Sequence, residues 1–443
     1  MLTVTPNRPP AMKKSSEEPD FGATGQFELT GVYFVDKKAD AAFATTLGMD
    51  RIKTLLLLGA GHAHLQVLTQ LAANRRSDLD VTLVTPWSYQ TYSSMTPGFV
   101  AGHYPLEDCQ IDLQPLIREA GARWISARCT GLDANTQSIM LDYGGSSPGV
   151  DLHKTGISTN RPAMMTYDFL SIDTGSVMEK RTLDKAIPGA FEHAILVRPL
   201  EQFVNRWSQL LNKAKAHPDS PLRINMIGGG VSGVELVLAM HQGLQAAGLR
   251  AQFSLVAGGP VLAADFPKGT QKRLAQQLRN RQIEVHSNRC TRVHADRIEL
   301  DDGRSLPSEY TFLATGSAAP EWLQHSGLAQ DAEGYAQVNA HLQSTSHKNV
   351  FAAGDVASRV DRPQNKNGNR AKQAGADLAL NLLASLTNQP LNAHNPSQHG
   401  VSFISCGDRT AIANWGGMSA EGAWAWRWKD KTDREFMARF RRG

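Results

Sequence analysis

At 443 residues, with 41% apolar and 20% charged positions, the chain has the length and balance of a globular protein of two or three domains. No run approaches the roughly 18 to 20 uninterrupted apolar residues of a membrane span, so no helical span is expected. A formal charge of +4, from 46 basic and 42 acidic residues, leaves no electrostatic footprint for nucleic acid.

Residues 1–48 carry no usable periodicity and are rich in Pro, Ser, Lys and Glu at their start. They are expected to be a disordered extension, or to precede the natural start, because Met49-Asp50-Arg51-Ile52-Lys53 leads directly into a strand. Interspersed acids argue against a targeting peptide. Then comes the run Thr54 to Leu58, followed by Gly59-Ala60-Gly61-His62-Ala63-His64 and a helical pattern to about Ala73. This reads as strand, phosphate turn and helix of a dinucleotide-binding unit. Gly59 permits the turn, Gly61 lets the backbone approach a pyrophosphate, and the helix beginning near His62 offers its N–H groups to the anion. The third glycine of the pattern is His64 here, so one unit alone reads equally well as a βαβ element that binds nothing.

The second strand, Asp80 to Thr85, ends in Thr85 where an acid would bind the adenosine ribose, and a hydroxyl can take that role more weakly. The Pro/Gly-broken stretch Tyr92 to Tyr104, which includes Met95, suits either the lining of a cofactor or a surface loop. Short strands follow between Gly121 and Asp142, and Asp168 to Ser176 returns as a buried strand ending in Thr174-Gly175.

The order then repeats. Ile224 to Glu235 is a complete Gly-x-Gly-x-x-Gly on Gly228, Gly230 and Gly233, about 170 residues after the first turn. A hairpin at Arg297 to Arg304 and a returning strand ending in Thr315-Gly316 follow it. Duplication of strand, turn, helix, meander and Thr-Gly strand points to an α/β protein with two Rossmann-like units and two nucleotide sites. A third element, Asn349 to Ala357, is a short strand ending in Gly354-Asp355. An Asp there can accept a hydrogen bond from a ribityl hydroxyl of a flavin.

Four cysteines, Cys109, Cys129, Cys290 and Cys406, are far apart with no Cys-x-x-Cys. They read as reduced cytoplasmic thiols and exclude a closely spaced redox pair; Cys109 reads as a small buried side chain in preference to a reactive thiol. No metal site is expected. From Trp424 to Arg442 there is no proline or glycine, and Trp424, Trp426, Trp428, Phe436, Met437 and Phe440 alternate with basic residues. The expected helix has aromatic and basic faces, with Lys429, Asp433 and Arg439 interrupting the apolar one. It either attaches peripherally to the inner face of an anionic membrane, without spanning it, or packs onto the first unit or a homodimer partner.

These stretches together resemble the two-dinucleotide-binding-domain flavoproteins of the pyridine nucleotide-disulfide reductase superfamily, in the branch of type II NADH dehydrogenases. The subgroup they look most similar to is the one associated with selenide, water dikinase. The resemblance runs from Leu55 to Phe440. It implies an FAD-binding domain in two parts, 49–197 and 316–390, an inserted NAD(P)-binding domain at 198–315, and a C-terminal segment at 391–443. It implies FAD on the first unit and Gly354-Asp355, and NAD(P)H on the second as electron donor, with Glu235 beside the nicotinamide. Lys372-Gln373-Ala374 partly resembles the quinone signature of that branch, marking Gln373 for a quinone acceptor. Ala257-Gly258-Gly259 stands where NADH-specific relatives have an acid, and no arginine follows immediately to favour NADPH. Two other readings stay open: a flavin-binding accessory protein without turnover, linked to selenium metabolism or another partner, and a quinone reductase with a non-nicotinamide donor.

Overall fold

The computed structural model describes residues 51–143, 163–178, 180–218, 220–315, 318–363, 368–397 and 400–441. The expectations for residues 1–48 and for Gly316 fall outside them. Two five-stranded parallel sheets organise the rest. The first has the order Val350–Ala352, Phe169–Ile172, Lys53–Leu58, Leu79–Val84, Arg123–Ile125. The second has the order Ala194–Leu196, Tyr310–Leu313, Leu222–Ile227, Ala251–Val256, Glu284–His286. In each, the strand that feeds a glycine turn lies at the centre. Helices cover parallel sheets on both faces, and the uninterrupted aliphatics of Leu55 to Leu58 are accordingly buried on both.

Residues 194–313 of the second sheet lie in sequence between two adjacent strands of the first, so one unit interrupts the other. Each unit also carries a three-stranded antiparallel meander. These are Arg128–Asp133, Ser138–Asp142 and Ala163–Thr166 in the first unit, and Cys290–Val293, Arg297–Leu300 and Ser305–Pro307 in the second. The stretch expected as a loop at Tyr92 to Tyr104 contains a short helix, Thr96–Val100. That helix meets the second unit's helix, Val231–Ala246, at Gly243, where a Cβ would lie 2.1 Å from the Val100 carbonyl oxygen. Only glycine allows the two backbones to approach so closely.

Gly354-Asp355 open a 3₁₀ turn, Gly354–Val356, and a further short strand, Ala357–Arg359, precedes the helix Gly368–Leu386. The C-terminal segment adds a sheet of Ser402–Ser405, Ala411–Trp415 and Met418–Gly422, then a helix, Ala423–Ala438. Its sheet packs on the second unit, with Asn414 accepting from Thr270, Glu421 from Gln277, and Asp408 paired to Arg281 at 2.7 Å. Its helix turns back to place Phe436, Met437 and Phe440 in the first unit's core beside Leu65, Tyr92 and Leu378. The segment therefore ties both units together.

Candidate active site

In the first turn Gly59 has φ +87°, and a Cβ on it would lie 2.5 Å from the Asp173 carbonyl oxygen and 2.7 Å from the Cα of Thr174. Ala60 is buried beside it. A Cβ on Gly61 would lie 2.4 Å from the Asp173 carboxyl group. Asp173 follows the strand Phe169–Ile172, and its Oδ2 accepts from the amides of Ala63 (2.8 Å) and His64 (3.0 Å). It thus caps the helix His62–Ala73 from the neighbouring strand, supplying the oxygen that Gly61 lacks as N-cap. Burial raises this carboxyl to about pKa 7; the two amides oppose the shift and the Asp355 charge adds to it.

His64 is fully buried and fills the place of the third glycine by bonding. Its Nδ1–H donates to the Gly59 carbonyl at 2.6 Å, and its Nε2 accepts from the Ser171 hydroxyl at 2.8 Å. Burial holds the ring neutral, with its pKa lowered to about 4. The bulky residue links the turn to the strand across which a glycine would otherwise pack.

Beyond the turn, Asp355 is ion-paired with Arg198 at 3.0 Å, and Ser176 lies within 3.5 Å of its carboxylate. The side chain expected to meet a ribityl hydroxyl therefore already has a cation beside it. Gly354 approaches Asp173 closely, Gly175 opens at φ +73° with nothing within 4 Å of its missing Cβ, and Met95 is buried at the start of Thr96–Val100. Thr85 is buried at the end of Leu79–Val84, and its carbonyl accepts from the Trp124 indole at 3.0 Å. His62 is buried against Tyr92 and Phe436, with no hydrogen-bond partner for its Nε2. Burial, then the charges of Lys372 and Arg198, lower its pKa to about 3.

A polar cluster joins this region to the C-terminal helix. Lys372 Nζ donates to the Tyr92 hydroxyl (2.8 Å), which donates to Asp433 Oδ1 (2.8 Å). Lys429 Nζ pairs with Asp433 Oδ2 at 2.7 Å and donates to the Ser94 carbonyl at 2.5 Å. Lys429 and Asp433 are only 7% and 4% exposed and share the buried face of the helix with Phe436 and Met437, the apolar face they are expected to interrupt, whereas Arg439 is exposed. Hydrogen-bond partners on the first unit, Tyr92 and Ser94, compensate the burial of the charge pair. Burial lowers the Lys372 pKa, against the pull of Asp433. Gln373, its neighbour, is partly buried, and its Oε1 has no partner.

In the second turn, Gly228 (φ +128°) would place a Cβ 2.6 Å from the Ala314 carbonyl oxygen and 3.1 Å from the Thr315 amide, and Gly233 would place one 2.1 Å from the Gly228 carbonyl oxygen. Gly230 has open space before it. Glu235, one turn into the helix, accepts from the Ser405 amide at 2.6 Å. Burial raises its carboxyl to about pKa 7, while Lys429 is near enough to oppose that shift. Glu235 therefore lies within electrostatic reach of Lys429 and Asp433, whose cluster Lys372 joins through Tyr92. At the end of Ala251–Val256, the Ala257 and Gly258 amides donate to the His286 and Asn288 carbonyls, which brings Arg289 beside Gly258. The absence of an arginine expected from the local sequence thus holds only along the chain.

Sequence reasoning missed Asp173, Arg198, Arg289 and the Tyr92 and Ser94 partners of Asp433 and Lys429. Only Asp173 left a signal, an acid directly before Thr-Gly at the carboxyl end of a parallel strand.

The pyridine nucleotide-disulphide oxidoreductase family matches residues 53–379, well over half the chain. The chain belongs to that family. Curated members similar to it include a demethylphylloquinone reductase of Synechocystis sp., 25% identical over 285 residues, 62% of this chain and 65% of that protein. A type II NADH:quinone oxidoreductase of Staphylococcus saprophyticus is 20% identical over 365 residues, 78% of this chain and 85% of that one. Among solved structures, the sulfide:quinone oxidoreductase of Aquifex aeolicus superposes with a TM-score of 0.68 at 19% identity, covering 88% of this chain and 91% of that one. NDH2 from Plasmodium falciparum, solved with NADH, gives 0.70 at 14% identity over 88% and 97%. At those identities the likeness is of fold.

Membership in this oxidoreductase family implies FAD and NAD(P)H, and the residues fit both. Gly230 opens onto space at a helix N-terminus with no side-chain cap, as a pyrophosphate requires. The unpartnered buried atoms His62 Nε2 and Gln373 Oε1 leave polar groups for a ligand on the first unit. A redox thiol does not fit, because burial pushes Cys109, Cys129 and Cys406 to about pKa 12 and Cys290 to about 11.

Proposed function

We propose that the protein takes electrons from NAD(P)H on its second unit and passes them through FAD on its first to a small-molecule acceptor, a quinone. The observation that carries this reading is the buried chain Lys372–Tyr92–Asp433–Lys429, which runs from the first unit to a lysine whose charge acts on the buried Glu235 of the second. FAD, when bound, supplies the two-electron acceptance and release. The chain's own side chains handle protons and position. Reducing a quinone to a quinol consumes two protons with two electrons, and Lys372, made a readier acid by burial, holds one beside the Tyr92 hydroxyl. Glu235, with its carboxyl at about pKa 7, can hold another near neutrality.

The curated relatives named for quinone reduction support the choice of acceptor. Among the described residues no helix is long and apolar enough to cross a membrane. Trp424 and Trp428, 41% and 46% exposed, stand on the outer face of Ala423–Ala438 with Arg427 and Lys431. That combination favours an anionic lipid surface, where a quinone is met.

An anaerobic titration tests the reading. The purified protein is expected to be yellow, to bleach with NADH or NADPH, and to recover its colour when a soluble quinone is added. An FAD-loaded protein that neither nicotinamide bleaches would remove the donor half of the proposal and leave an accessory flavoprotein.

A further inference from the structure

We propose that Arg289 is the residue that selects the dinucleotide of the second unit, and that it selects the 2′-phosphorylated one, NADPH. The inference rests on the reading of that unit as a nicotinamide-dinucleotide site and goes on to name which dinucleotide. In a Rossmann unit the adenosine ribose lies against the end of the strand next to the phosphate-turn strand. Here that strand is Ala251–Val256, paired in register with Leu222–Ile227 from Leu222 opposite Ala251 to Ile227 opposite Val256. Its end adjoins the turn closely, since a Cβ on Gly229 would lie 2.8 Å from the Ala257 side chain.

Selection for NADH uses a carboxylate at this place to accept from the 2′-hydroxyl. Ala257, Gly258 and Gly259 offer none. The nearby acids are taken: Asp301 accepts from Asn288 at 2.9 Å, and Asp302 pairs with Arg304 at 2.7 Å. A cation takes the place of the acid. The amides of Ala257 (2.8 Å) and Gly258 (3.0 Å) fasten the loop after Glu284–His286 to the strand end, through the carbonyls of His286 and Asn288. The next residue, Arg289, has its Cγ 4.0 Å from the Cβ position of Gly258, so the glycine leaves room for the arginine stem to lie along the strand end. Gly258 holds φ +72°, a conformation that a side chain there would strain.

Arg289 is exposed and makes no ion pair among the described residues, whereas Arg304, across the same loop, is held by Asp302 and Asn288. A free guanidinium beside an acid-free strand end complements a ribose phosphate dianion, which it can bind through two parallel N–H donors. A 2′-hydroxyl gives it no charge to meet.

The test uses the purified full chain and two fragments that differ only in the 2′-phosphate, 2′,5′-ADP and 5′-AMP, with binding measured by calorimetry at low ionic strength. The native chain is expected to bind 2′,5′-ADP about tenfold or more tightly than 5′-AMP. In R289A that preference should disappear, and in R289K part of it should return. In turnover, the ratio of kcat/KM for NADPH over NADH should fall by a similar factor in R289A. Equal affinity for the two fragments in the native chain, or a preference that survives in R289A, overturns the assignment while leaving the second unit a nucleotide site. Failure to bind either fragment, NADH or NADPH overturns the reading of the unit itself, and the assignment with it.

Discussion

Replacing Asp173 with Asn keeps an acceptor for the Ala63 and His64 amides, at 2.8 and 3.0 Å, and removes a carboxyl that burial raises from 3.8 to about 7. The folded chain keeps this proton up to about pH 7, while the unfolded chain releases it near its ordinary value. Between those limits the folded state binds more protons, so stability is greatest at low pH and falls as pH rises through the window. Integrated from about pH 5 to about pH 8, the loss from this group alone is about 2 to 3 kcal/mol. Glu235, also raised to about 7, adds a slope of the same sign, but it is common to both proteins and cancels in their difference. Urea unfolding of the two apoproteins, followed by tryptophan fluorescence at both pH values, should show Asp173→Asn gaining about 2 to 3 kcal/mol on the native chain as pH rises. Parallel pH profiles would refute the reasoning, because they would mean that the helix N–H groups outweigh burial and keep the carboxylate ionised. The outcome bears on function as well, since a protonated Asp173 at the phosphate turn does not repel an arriving pyrophosphate.

Asp433→Ala leaves the Lys429 ammonium buried without its counter-charge and the Tyr92 hydroxyl without its acceptor, so a loss of about 3 to 5 kcal/mol is expected in equilibrium unfolding. A double Lys429→Met, Asp433→Leu variant should recover much of that, and a single variant as stable as the native chain would show the pair to be hydrated. For membrane contact, removing the whole C-terminal helix would also remove buried core residues, so the informative change is Trp424→Ser with Trp428→Ser on the exposed face. Flotation with anionic vesicles at low salt should carry the native chain upward and leave the double variant below; equal behaviour of the two assigns those tryptophans no lipid role.

How far the sequence reached can be judged residue by residue. The aliphatic run before Gly59, Gly228 and Gly233, and the two returning strands at Phe169 and Tyr310 are legible because each expresses a local constraint: a buried parallel strand, a positive φ, a close backbone approach. His64 looked like a defect in the same pattern. Its compensation is the Ser171 hydroxyl, 107 positions away in sequence, which only strand pairing brings to 2.8 Å. The same holds for Asp173 over the helix at Ala63, and for Lys372, whose Tyr92 partner is 280 positions away. Arg289 is a neighbour of Gly258 because two parallel strands end side by side. The helical wheel of Ala423–Ala438 places Lys429 and Asp433 on the apolar face, where they are buried with Phe436 and Met437, but periodicity does not record what the opposing surface offers them: the Ser94 carbonyl and the Tyr92 hydroxyl. Two nucleotide folds, their turns and their duplication are written in the chain, because all of them are local or periodic properties. Which side chains meet at those turns is set by packing, because hydrogen bonds and ion pairs reach about 3 Å and depend on register, not on distance along the chain.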